Sequence, residues 1–219
     1  MIQSINFRLG DSLPQAVLEK WRQELGVVSK RRPGAPAPLP MSSPVLQQPY
    51  ASKDAGASIG QPGPESIRAI EFRRRIEEYL DAGHGECWLR QPEIARLVED
   101  TLVLFDPKRY RLLAWCIMPN HVHALVETKE GFPLADVLHS WKSFTSGEAN
   151  KLLRRRGEFW QREYLDRYIR NATHYENVVA YIEENPVKAR LARFKTDWLW
   201  SSARFRARLG APAPRPANS

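Results

Sequence analysis

Apolar and polar positions alternate over the first nine residues. Ile2, Ile5, Phe7 and Leu9 stand among polar neighbours and predict a strand. Ser12-Leu13-Pro14-Gln15 then reads as a capping box with proline inside the first turn. The helix it predicts runs to about Leu25, with Leu13, Val17, Leu18, Trp21 and Leu25 on one face. A second helix is expected over Ser66 to Leu80. Phe72, Ile76, Tyr79 and Leu80 mark its buried side; Arg68, Arg73, Arg74 and Arg75 mark a basic side of the solvated kind. Gly83 and Gly85 end it, and Glu86 to Arg90 reads as a short strand or turn. From Pro92, the positions Ile94, Leu97, Val98, Thr101, Leu102 and Phe105 keep the helical period until Asp106-Pro107.

Two apolar runs follow, Tyr110 to Met118 and His121 to Thr128. Only Pro119-Asn120 separates them, which predicts neighbouring antiparallel strands. Pro133 opens a helix with Leu134, Val137, Leu138 and Trp141 inward. Arg154, Arg155 and Arg156 close it with the charge that its dipole favours, and Gly157 follows as a stop. Glu158 to Arg170 is aromatic and basic and reads as a short strand and an ordered loop. Thr173-His174-Tyr175-Glu176 is a second capping box. The helix behind it buries Tyr175, Val178, Val179 and Ile182, with Pro186 as its stop. Strands and helices alternate around an antiparallel pair. That points to the α+β class, a sheet carrying helices, rather than a doubly wound parallel sheet.

Composition divides the chain into four parts. Residues 1–26 hold the first strand and helix. Residues 27–64 are rich in Pro, Gly, Ala and Ser and read as a disordered basic insertion, too poor in apolar side chains to offset ordering entropy. Residues 65–186 carry the remaining elements. Residues 187–219 form a basic tail in which Trp198 and Trp200 cover an apolar edge and the end from Gly210 is disordered. The net charge of +8 and pI near 9.7 favour an anionic partner, nucleic acid first. Two cysteines without a Cys-x-x-Cys spacing argue against a disulfide framework and fit a reducing cytoplasm. No apolar run is long enough to span a membrane.

His121 and His123 stand two apart in an apolar strand, so both imidazoles leave the same face, with Val122 and Ala124 on the other. Two such imidazoles make half of a divalent-metal site; two core histidines bonded to neighbours are the alternative. On the last helix Tyr181 and Asn185 lie one above the other, with Glu184 as the competing ligand. The string Met118-Pro119-Asn120-His121-Val122-His123 resembles the signature of the HUH single-strand nucleases. With Trp160, Gln161, Tyr164, Asp166, Ile169 and Arg170, and with Tyr181 to Pro186, the chain resembles their REP-associated tyrosine transposase branch. The resemblance covers Ile2 to about Leu25 and about Arg75 to Phe205. Two departures are Arg190, where the family commonly has Gly, and the long insertion after Gly26.

That resemblance implies a ferredoxin-like sandwich whose antiparallel sheet carries the His-x-His strand. It implies Tyr181 as nucleophile and a Mg²⁺ or Mn²⁺ site at His121, His123 and Asn185, with Glu184 as second choice. The expected activity is cleavage and rejoining of single-stranded, hairpin-forming repeat DNA through a 5′-phosphotyrosine link. The alternatives are a repeat-DNA binding protein that does not cut and a nucleic-acid-binding module with core histidines. DNA contacts are expected at Lys142, Trp160, Arg162, Arg167 and Arg170, since single strands are held by basic grooves and aromatic platforms. The expected setting is a bacterial, cytoplasmic, nucleoid-associated monomer or homodimer, with no membrane and no nucleotide cofactor.

Overall fold

A computed structural model describes residues 1–27 and 64–209. Four strands, β1 (Ile2–Leu9), β2 (Tyr110–Ile117), β3 (His121–Thr128) and β4 (Trp160–Tyr168), form one antiparallel sheet. Their order is β2-β3-β1-β4, with β1 and β3 central. This is the expected ferredoxin-like order of a βαββαβ unit. The helices are α1 (Gln15–Leu25), α2 (Pro64–Asp81), α3 (Pro92–Leu104), α4 (Leu134–Leu152), α5 (Ala172–Lys188) and α6 (Ser202–Leu209).

Side-chain alternation sorts the two faces of the sheet. Ile5, Phe7 and Leu9 of β1 and Val122, Ala124 and Val126 of β3 point to one face. There they pack against Ile94, Val98 and Leu102 of α3 and Val137, Leu138 and Trp141 of α4. The other face is covered in two pieces. Tyr175, Val179 and Ile182 of α5 lie on Leu113, Cys116 and Leu125 of β2 and β3. The α1–α2 pair has a small core of its own, Leu13, Leu18, Phe72, Ile76 and Leu80, with Leu165 of β4 against it. Between these two covers the polar side of β1, Ser4 and Asn6, floors a cleft. A single continuous helical layer would have closed it.

Several local expectations are corrected. Neither capping box forms. Ser12 Oγ donates to the Leu9 carbonyl, and α1 starts at Gln15 without a side-chain cap. The cap of α5 is Asn171, whose side chain accepts from His174 N–H; Thr173 is already helical. Pro186 lies inside α5 near its end, where one lost N–H bond and the crowding of the preceding turn are tolerated, and the backbone closes beyond it, Ala189 N–H on Asn185 O. Arg190 then takes φ 58°, a left-handed conformation that glycine adopts more readily than arginine. At the end of α4, Arg154 (φ 50°) is the first left-handed residue, ahead of Gly157. Trp88–Arg90 is a 3₁₀ turn, and β4 is a full nine-residue strand.

The tail is ordered into a short turn and helix α6 and lies along the sheet. Trp198 Nε1 donates to Ile117 O, Ile117 N–H donates to Trp200 O, and Ser201 bridges to Cys116 along the free edge of β2. The expectations for the 27–64 insertion, but for its two end residues, and for the stretch from Gly210 fall outside the described residues.

Trp141 tests the α3–α4 core. It is 2% exposed, stands edge-on to Tyr110 at 5.1 Å, and donates Nε1–H to the Tyr110 hydroxyl at 2.9 Å. Trp141→Ala should cost about 3–5 kcal/mol in urea unfolding, and a cost below about 1 kcal/mol would contradict this packing.

Candidate active site

The β3 register puts His121 opposite Arg8 and His123 opposite Asn6, all on the cleft side of the sheet. Both imidazoles are buried, and their Nε2 atoms are 3.0 Å apart. Asn120 sets the tautomer of the first. Its Nδ2 donates to His84 O, so its Oδ1 faces His121 Nδ1 at 2.7 Å and accepts the ring proton. His121 Nε2 is left with a lone pair aimed at His123. Burial holds both rings neutral. It drives His121 well below its ordinary value, with repulsion from His123 and Arg8 adding to the effect. It drives His123 down to about 3, with Lys188 as the lesser cause.

Two oxygens complete the cluster. Asp81, the last residue of α2, has Oδ1 3.6 Å from His121 Nε2 and buried without a hydrogen-bond partner. This contact is not an ion pair, since the imidazole is neutral. Burial first, then Glu77, pushes the Asp81 carboxyl up to about 7. One ligand atom from each of Asp81, His121 and His123 lies within 4.8 Å of the others. Asn185, one turn beyond Tyr181, has Nδ2 3.1 Å from His123 Nε2, while its buried Oδ1 has no partner. Rotating that amide by half a turn presents the oxygen instead. Two imidazole nitrogens, a carboxylate and an amide oxygen, with two of the oxygens unpartnered, fit a divalent cation of the Mg²⁺ or Mn²⁺ kind.

Tyr181 stands beside this cluster. Its ring meets that of His123 edge-on at 5.5 Å, and Lys188 Nζ sits 4.6 Å above its face. Its hydroxyl is hydrogen-bonded to Glu77 of α2. The cleft holding these groups has a volume of about 440 Å³. Arg73 and Glu77 form one wall, Asn177, Tyr181, Glu184 and Lys188 the other, and Arg167 of β4 shares the floor.

The family described as "Transposase IS200 like" matches residues 93–185, a span that contains His121, His123 and Tyr181 and ends on Asn185. The resemblance to these transposases is borne out. A REP-associated tyrosine transposase of Escherichia coli (strain K12) is 30% identical over 97 residues, which are 42% of this chain. The chain spans about half, 54%, of that relative's length. A solved structure of a REP-associated tyrosine transposase bound to a REP hairpin shares 21% identity, with a TM-score of 0.48 over 58% of this chain and 76% of the other.

Within the matched segment, the fold brings His121, His123, Tyr181 and Asn185 together. Glu184 stays on the cleft rim, 3.8 Å from Lys195 Nζ, and is outside the donor cluster. Of the expected DNA contacts, Arg167 lines the cleft, while Arg162 and Arg170 are exposed outside it. Two of these residues take structural positions. Trp160 is core: its ring stands edge-on to Phe7 at 4.9 Å and its Nε1 donates to Thr145, which leaves no ring face open as a platform for a base. Lys142 ties α4 to β4 by donating to the Gln161 and Arg162 carbonyls.

The sequence reading missed Asp81, Glu77 and the cleft role of Arg73. The signal was available. Arg73, Glu77 and Asp81 recur every four residues, a charged stripe running beside the apolar stripe Phe72, Ile76 and Leu80. Asn120, which looked like a bend residue only, orients a histidine.

Divalent-ion binding tests the cluster. Mn²⁺ should raise the unfolding temperature of the wild type and not that of His121→Ala/His123→Ala. A bound ion must displace the Asp81 proton, so affinity should fall about tenfold per unit as pH drops below about 7. His123, with its pKa near 3, does not compete in that range. Calorimetric titration from pH 8 to pH 5 should show this slope, and Asp81→Asn should flatten it.

Proposed function

We propose that this chain cleaves and rejoins single-stranded, hairpin-forming DNA through a covalent bond between Tyr181 and a 5′-phosphate. One observation carries the reading: a tyrosine stands beside a cluster of buried ligand atoms with unpartnered oxygens, in a cleft lined by Arg73, Arg167 and Lys188. The name of the Escherichia coli relative associates it with REP elements, and repeat DNA that folds into hairpins is the substrate class proposed here.

A Mg²⁺ or Mn²⁺ ion bound by His121, His123, Asp81 and Asn185 would polarise the scissile phosphate as a Lewis acid. The chain's own groups do the rest. Arg73, Arg167 and Lys188 hold the phosphates of the strand and offset their charge. Lys188, over the Tyr181 ring, also keeps the phenol from swinging out of the cleft. The Tyr181 oxygen attacks phosphorus in line. The bond to the 3′-oxygen breaks, and its electron pair stays on that oxygen. The phosphotyrosine bond conserves the energy of the broken linkage, so a 3′-hydroxyl can later attack it and reseal a strand. With Trp160 in the core, the grip is basic rather than aromatic, and binding should weaken steeply with salt.

The test uses end-labelled hairpin DNA from repeats near the gene, with Mn²⁺, under denaturing electrophoresis. Wild-type protein should give a covalent protein–DNA band. Tyr181→Phe should bind the hairpin with similar affinity and give no band, and His121→Ala/His123→Ala should give none. Tight binding with no band under any divalent ion would make this a DNA-binding protein that does not cut.

A further inference from the structure

A phenol with a pKa near 10 is almost fully protonated at neutral pH and attacks phosphorus poorly. Its proton needs a destination, and the groups around Tyr181 narrow the choice. His121 Nε2 and His123 Nε2 face each other in the donor cluster, and His121 Nδ1 is taken by Asn120. Lys188 lies over the ring face, not at the hydroxyl, and carries no free lone pair when protonated. Asp81 sits at His121. Glu77 is different. It projects from α2 one turn before Asp81 and one turn after Arg73, lines the cleft, and accepts the hydrogen bond of the Tyr181 hydroxyl.

We propose that Glu77 is the general base of the strand-transfer reaction, taking the Tyr181 proton as the phenolic oxygen attacks and returning it when the strand is resealed. This rests on Tyr181 being the nucleophile. In cleavage the proton passes from Tyr181 Oη to a Glu77 carboxylate oxygen. The Oη–P bond forms, the P–O3′ bond breaks, and the departing 3′-oxygen takes a proton from solvent. In resealing a 3′-hydroxyl loses a proton to solvent and attacks, and the Tyr181 oxygen leaves with the proton held by Glu77.

The surroundings suit that task. Arg73 on α2, His174, Tyr181, Glu184 and Lys188 on α5, Asp166 and Arg167 on β4 and His123 on β3 line the same cleft, and Asp81 adds its charge from the end of α2. Burial raises the Glu77 carboxyl above its ordinary range, which strengthens it as a base. Arg73, Arg167 and Lys188 oppose the rise and favour the ionised form that the reaction needs. Arg73 is thus a positioning residue for the base as well as a phosphate contact.

The experiment follows single-turnover formation of the covalent band on hairpin DNA with Mn²⁺. Glu77→Gln keeps the size and a hydrogen-bonding group, so hairpin binding and the unfolding temperature should stay near wild type. The cleavage rate should fall about 10²–10⁴-fold. The wild-type rate should rise with pH and level off once Glu77 is ionised, whereas that of Glu77→Gln should keep rising about tenfold per unit toward the pKa of the phenol. Replacing Tyr181 by 3,5-difluorotyrosine, an acidic phenol that ionises unaided, should restore most of the rate lost in Glu77→Gln. A Glu77→Gln rate equal to wild type overturns the assignment, and so does a slow variant that the acidic phenol does not rescue. If Tyr181→Phe still forms the band, or wild type forms none, the nucleophile reading fails first and takes Glu77 with it.

Discussion

Two neutral imidazoles, buried with a 3.0 Å separation between their Nε2 atoms, set the terms for the rest of this structure. Out of water, their lone pairs are poorly satisfied by each other, and charging either ring carries the desolvation cost of a buried cation. The neighbours are arranged to keep the pair neutral and correctly turned. Asn120 holds the proton of His121 on the far nitrogen. Val122 and Ala124, on the opposite side of the strand, anchor β3 in the larger core, so the histidines cannot swing away. The unpartnered oxygens of Asp81 and Asn185 stand beside the pair, where a divalent cation would draw them.

Holding Tyr181 at this pair requires α5 to keep one rotation about its own axis. Its apolar stripe on β2 and β3 fixes that only loosely. The buried carboxylate of Glu183 fixes it better. It accepts from Ser202 Oγ, pairs with Arg206 and reaches Lys195, all in the tail. Ser202 Oγ is also bonded to Trp115 N–H of β2. A buried ionic group of this kind is a weak source of stability and a strong source of geometric definition. The tail, basic by composition, thus acts as a brace between the last helix and the edge of the sheet. The unpartnered Nε and Nη2 of Arg8 and Nδ2 of Asn6, beside the histidines on β1, belong to the same polar layer under the cleft.

Periods of two and of about 3.6 residues are local properties of the chain, and what they specify survived folding. The strands β1, β2 and β3, the faces of α1, α3 and α5, the common side of His121 and His123, and the stacking of Tyr181 over Asn185 all follow from spacing within one element. The tertiary structure decided what spacing cannot reach. Asp81 and Glu77 lie some 40 residues before the histidines, and only the docking of α2 beside α5 brings them to Tyr181. Whether Trp160 stacks on a base or fills a core depends on which side of the edge strand β4 it takes. Which of several Ser, Thr and Asn side chains caps a helix depends on where the preceding chain enters. The sequence therefore determined the histidine pair, the candidate nucleophile and the class of fold. The acids of α2, the cleft and the surroundings of Tyr181 were decided by packing, because each depends on a distance between elements that no local period encodes.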